Sequence, residues 1–172
     1  MILKVFKVKS NQKYINKLLN ARQVAVSSTK VNTVGVILNM NEFSDFEAFR
    51  LFFKSLGIQA SKAKIIAFVD DPKDSNELWD TYFNPKHFGW KGKINNTDLQ
   101  TFVDTKFDVL ISYYKESHVE LNLITAASKA NFKVGLTNDD ERLYDLMINV
   151  KPNEFRVFKN ELKKYLTVLN KL

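Results

Sequence analysis

The chain contains no cysteine. That absence excludes disulfides, thiolate-held metals and a cysteine nucleophile together. It suits a reducing compartment, and a cytoplasmic location is the expectation. Glycine and proline are scarce, five and three in 172 residues. Little material is therefore left for glycine-rich phosphate loops or long flexible linkers. No stretch approaches the roughly 18 uncharged apolar residues of a membrane-crossing helix. Residues 1–22 are apolar but repeatedly broken by lysine, so they match neither a span nor a secretory signal.

Acid is missing from one end. Residues 1–41 hold Lys4, Lys7, Lys9, Lys13, Lys17, Arg22 and Lys30, and Glu42 is the first carboxylate. Those seven cations account for the whole net charge of +7, because the remaining 19 Lys and Arg equal the 19 Asp and Glu. The basic character belongs to the N-terminal segment alone. Residues 1–30 are accordingly expected to form a basic helical arm, with Tyr14, Ile15, Leu18 and Leu19 marking its apolar side. Either this helix packs on the domain with its lysines in water, or Lys4, Lys7, Lys9, Lys13, Lys17 and Arg22 contact an anionic partner, whether RNA, ribosome or membrane surface.

What is present is globular in kind: 45% hydrophobic and 26% charged residues, with fourteen phenylalanines, enough for one domain over residues 31–172. Residues 33–38 (TVGVIL) and 64–69 (KIIAFV) are unbroken apolar runs, the mark of strands buried on both faces. Residues 107–138 read as strand, helix, strand, with Ala126, Ala127 and Ala130 letting the helix lie close to the sheet. Ser44 with Glu47, Thr97 with Gln100, and Ser117 with Glu120 have capping-box spacing. Phe46, Phe49, Phe52 and Phe53 recur at helical spacing and predict a core stripe. So do Phe155, Phe158, Leu162, Tyr165, Leu166 and Leu169 near the end. A short helix is expected through 77–79, an edge strand at 82–83 and a last edge strand at 144–150. The fold class expected is α/β: a three-layer, Rossmann-like, open and mainly parallel sheet of five to six strands with helices on both faces.

In such a sheet a ligand is expected where the chain order reverses, at the carboxyl ends of the central strands. If 33–38 and 108–112 are neighbours, that crevice is lined by Asn39, Met40, Asn41 and Glu42 on one side. Tyr113, Tyr114, Lys115 and Glu116 line the other. Asp70 and Asp71, ending the second strand, could hold a cation or a ribose, or simply make a turn. A small phosphate-bearing ligand is the expectation if the crevice is used. The loop after the first strand, NMNEFSDFE, has none of the glycines of a dinucleotide or P-loop fingerprint. There is no G-x-S-x-G elbow either. His87 and His118 lack a partner at ligand spacing. Neither a metal nor a cofactor is expected, and no catalytic residue is assigned. In the loop 84–96, His87, Trp90, Lys91 and Lys93 mix rings and cations. Phe88 and Trp90 are expected to tuck beneath it.

FDVLIS (107–112), the alanine-rich helix and FKVGL (132–136) resemble part of the N-terminal Rossmann-like half of heptosyltransferase-type (GT-B) glycosyltransferases. Asn39 to Glu42 stand where those enzymes carry a glycine-acid loop, and a second, nucleotide-sugar domain finds no room. Across the chain, FNPKHFGWKGKI (83–94), FDVLISYY (107–114), FKVGL and ELKKYLTVLNKL (161–172) are similar to small uncharacterised α/β domain proteins of flavobacteria and their relatives. That resemblance implies a cytoplasmic bacterial protein and no particular activity. The function expected is a non-catalytic binding or assembly module whose basic arm meets an anionic partner. The alternative is a nucleotide or sugar-phosphate binder or enzyme.

Overall fold

The structure, a computed structural model, describes residues 1–24, 27–71, 81–136 and 140–172. Six parallel strands form one sheet in the order β3-β2-β1-β4-β5-β6. They are β1 Val34–Asn39, β2 Ala63–Phe68, β3 Thr81–Phe83, β4 Val109–Tyr113, β5 Phe132–Leu136 and β6 Leu146–Ile148. β1 and β4 lie side by side, with Val34 opposite Val109 and Leu38 opposite Tyr113. At their amino ends the Asp108 carboxylate accepts from the backbone N–H groups of Asn32 and Thr33, both at 2.9 Å. Every residue of β1, β4 and β5 is buried. Only strands covered on both faces tolerate such unbroken apolar runs. The expected fold class is the observed one.

Among the described residues five α-helices cover the two faces: α1 Ile2–Ala21, α2 Phe46–Ser55, α3 Thr97–Asp104, α4 Val119–Ala127 and α5 Phe155–Val168. Alternation along the strands sorts the core. Val36, Leu38, Val109, Ile111 and Tyr113 face α2 and α5, where they meet Phe49, Phe53, Phe158 and Leu162. Ile37, Ile66, Phe68 and Leu110 face α1, α3 and α4, against Ile15, Leu19, Phe102 and Ile124. Gly35 lies in β1 because a Cβ there would come within 2.7 Å of the Phe107 ring. The phenylalanine stripe of α2 is core, as its spacing implies.

Several local expectations shift. The three serine and threonine caps are displaced by a neighbour. Asp45 caps α2, accepting from Ala48 N at 2.9 Å. Asn96 caps α3, accepting from Leu99 N at 2.8 Å. Asp and Asn cap at least as well as Ser and better than Thr, so the stronger adjacent residue takes the role. α4 starts at His118 with no side-chain cap, because the Ser117 hydroxyl accepts instead from Asn122 Nδ2 at 2.9 Å. Phe88 is buried as expected, but Trp90 is 46% exposed. The edge strand expected at 82–83 is β3. The short helix expected through 77–79 lies outside the described residues.

α1 packs on the domain by its expected apolar side. Its later half lies against α4, burying Ile15 and Leu19. There it also meets the 3₁₀ turn Glu141–Leu143, whose Arg142 donates to Asn16 and Asn20. Its middle bonds the loop after β3. Asn11 donates to Gly89 O at 3.1 Å and accepts from Gly92 N at 2.9 Å, and Ser10 accepts from Lys91 N at 3.1 Å. Gly92 sits at φ 75° with the Tyr14 ring where its Cβ would be. The helix thus crosses its face of the sheet from the β5–β6 side to the β3 side, a length of about 30 Å for 20 residues.

Candidate functional site

The strand-end crevice has the expected floor, since β1 and β4 are adjacent and the chain order reverses between them. What it holds is different. Glu42 reaches across from the loop after β1 and places its carboxylate on the backbone leaving β4. It accepts from Lys115 N at 3.0 Å and from Glu116 N at 2.9 Å. Successive backbone N–H groups of this kind form an anion cradle. The start of α2, another place that favours negative charge, is taken by Asp45 and by Glu47 in the first turn. Both anion positions beside the crevice are filled by the chain's own carboxylates.

The remaining expected residues divide. Asn39 ends β1 fully buried, its Oδ1 accepting from Asn41 N at 3.1 Å, while Nδ2 makes no hydrogen bond. Asn41 is exposed and donates to Asp70 Oδ2 at 3.1 Å. Asp70, Asp71, Lys115 and Glu116 are exposed at the rim. Tyr113 and Tyr114 do not line the crevice, because both are fully buried on opposite faces of the sheet. Tyr113 donates to Pro152 O at 2.8 Å, within a ring cluster with Phe43, Phe49 and Phe158. Tyr114 donates to Asn122 Oδ1 at 3.1 Å and meets Thr125 Oγ1 at 2.9 Å. Burial pushes the Tyr114 hydroxyl up to about 12, so it stays a protonated donor.

Sequence reasoning missed His118 as a crevice group. Its ring lies 5.1 Å from that of Phe68, with Asp70 Oδ1 4.0 Å from Nδ1 and Glu116 Oε2 3.9 Å from Nε2. It also missed the polar network of Ser112, Tyr114, Asn122 and Thr125 between β4 and α4. The available signal was Asn122 and Thr125, polar residues three apart in a helix that is apolar after Glu120. Among the described residues no group of three or more histidines and acids is placed to hold a metal.

The cationic segment has a clearer geometry. Lys4, Lys9, Lys13 and Lys17 are exposed, and among the described residues none meets a carboxylate. Lys9, Lys13 and Lys17 recur every four residues and form a row on one side of α1. Lys7 bends back to Pro85 O at 3.4 Å. Arg22 departs from the expected set. It is held 2.6 Å from Asp145, whose side chain is 2% exposed, so it works as a structural ion pair. The same Asp145 oxygen accepts from Lys133 N at 2.8 Å. Lys133 is buried on β5, donating Nζ to Thr125 O at 2.7 Å and Ala126 O at 3.2 Å at the end of α4. Burial, with Arg22 adding to it, lowers its pKa to about 7 against the pull of Asp145.

Fold and site together define a doubly wound, parallel α/β domain whose strand-end anion positions are occupied by its own acids. The chain belongs to a family of unknown function (DUF6913), whose model matches residues 7–169. No curated protein and no solved structure matches it. The heptosyltransferase likeness gains no support from these comparisons. No helix among the described residues is long and apolar enough to cross a membrane.

Proposed function

We propose that the protein is a non-catalytic binding or assembly module that meets an anionic partner through α1. The observation that carries this reading is the row Lys9, Lys13 and Lys17, exposed and, among the described residues, without carboxylate partners, on a helix fastened to the sheet. Unpaired cations held in a row on a fixed scaffold raise the local concentration of anions, and their binding is salt-dependent. Residues 1–30 serve as the arm and residues 31–172 as the domain that carries it.

The test is charge reversal of Lys9, Lys13 and Lys17 to Glu, followed against single-stranded RNA and anionic vesicles at rising salt. All three side chains point to water, so the fold is retained. The parent binds at low salt and loses affinity as salt rises. The reversed variant binds more weakly by roughly a hundredfold, at about 1 kcal/mol for each lysine. Equal binding by parent and variant refutes the reading.

A small ligand at the crevice is the second reading, motivated by the buried, unbonded Asn39 amide and the His118 ring at the strand ends. The phosphate-bearing ligand anticipated from the sequence meets Glu42 and Asp45 there. The crevice chemistry favours an uncharged or cationic ligand.

A further inference from the structure

We infer that the partner is an anionic lipid surface, entered by the first two turns of α1 together with the adjacent Trp90 loop. This rests on the reading of α1 as the partner-binding element and names its partner. Met1, Ile2, Leu3, Val5 and Phe6 are 52–104% exposed, and Val8 is 38% exposed. At about 3.6 residues per turn they spread over well more than half of the tip's circumference, with Lys4 and Lys7 on the remaining side, so a groove on a protein, which covers one stripe, would leave part of them wet. A lipid surface covers them all.

Ile2 and Phe6 lie on the same side of α1 as Lys9, Lys13 and Lys17, by their near-fourfold spacing. Tip insertion therefore leaves the lysine row behind it, at headgroup depth, where long cationic side chains reach phosphate. α1 begins without a side-chain cap and without an acid in its first turn. No acid of its own first turn therefore opposes its approach to an anionic surface.

The loop after β3 adds the second half of the surface. Gly89 and Lys91, either side of Trp90, are bonded to Asn11 and Ser10 of α1. Trp90 is 46% exposed, and Lys86, Lys91 and Lys93 are exposed around it. An exposed indole ringed by lysines suits the boundary between headgroups and acyl chains. RNA would reward the lysines and the indole, and would give nothing for Ile2, Leu3 and Val5. Attachment through one helix tip and one loop is peripheral and reversible.

The experiment uses the full chain carrying Trp79→Phe, so that Trp90 alone reports. Phosphatidylcholine vesicles with and without phosphatidylglycerol are added, some with brominated acyl chains, and emission and sedimentation are read. The expected result is a blue shift and bromine quenching of Trp90 on the anionic vesicles only. Leu3→Ser with Phe6→Ser, both at exposed positions, weakens partition by roughly tenfold or more with an unchanged melting temperature. Sedimentation without any change in Trp90 emission overturns the lipid surface described here. So does an equal affinity of the serine variant. Binding to RNA with vesicles refused overturns the lipid proposal and leaves the anionic-partner reading intact. Refusal of both overturns the two together.

Discussion

Lys133 shows how a single residue ties pH to stability. An amine desolvated among the strands, with only carbonyls at its Nζ, holds its proton less well than the 10.5 of a free lysine, at about 7. Between those values the unfolded chain binds the extra proton, so stability rises as pH climbs from about 7 toward 10.5. Below that window the burial penalty is present in full. Lys133→Met removes the charge and keeps most of the volume. Urea titrations near pH 6 and pH 9 should show the parent gaining stability at the higher pH and the variant gaining much less; an equal gain would contradict the assignment. Asp145 is the companion case. Its buried carboxylate holds both Arg22 and the β5 backbone at Lys133. Asp145→Ala leaves a guanidinium without its partner and should lower stability by about 3–5 kcal/mol, read from the same titrations. A loss under about 1 kcal/mol would show the pair to be solvated.

The elements differ in how legibly the chain announces them. β1, β2, β4 and β5 are plain in the sequence because two-sided burial leaves room for few polar residues, Asn39, Ser112 and Lys133 being the buried ones on β1, β4 and β5. The caps are legible only to within a residue, since Asp45 and Asn96 stand beside the serine and threonine that spacing alone selects. The inner side of α1 is legible from Tyr14, Ile15, Leu18 and Leu19, but its route is not. Its seat depends on Asn11 and Tyr14 meeting a loop some eighty positions away. Gly92 is the hinge of that seat. Any side chain there is strained at φ 75° and strikes the Tyr14 ring. Gly92→Ala should loosen α1, raising amide exchange in its middle turns while leaving β1 and β4 protected. Unchanged exchange in α1 would show that the loop does not hold it. Glu42 was read as a crevice residue, but its role as an internal anion required two backbone N–H groups from 73 and 74 positions away. Glu42→Ala uncovers them. Inorganic phosphate should then raise the melting temperature of the variant and leave the parent unmoved. An equal response of both proteins would contradict an anion cradle at this place.

At the scale of the molecule, the parallel order 3-2-1-4-5-6 sets two different surfaces. One is the reversal point of the sheet, where such folds commonly take ligands and where this chain sets Glu42 and Asp45 against anions. The other is the exposed side of a helix laid across the α1, α3 and α4 face, cationic along its length and apolar at its tip. Adjacency of β1 and β4 entered the sequence reading as a condition, and the crossover pattern alone did not decide it. The lack of carboxylate partners for the α1 lysines among the described residues was not legible either, because it depends on where the acids of the body end up. The claim that the second surface carries the function is tested most directly by amide exchange of the intact protein, free and with phosphatidylglycerol vesicles. Protection should rise through residues 2–9 and 89–92, with the crevice segments 39–42 and 113–118 unchanged. Protection confined to the crevice segments would contradict it.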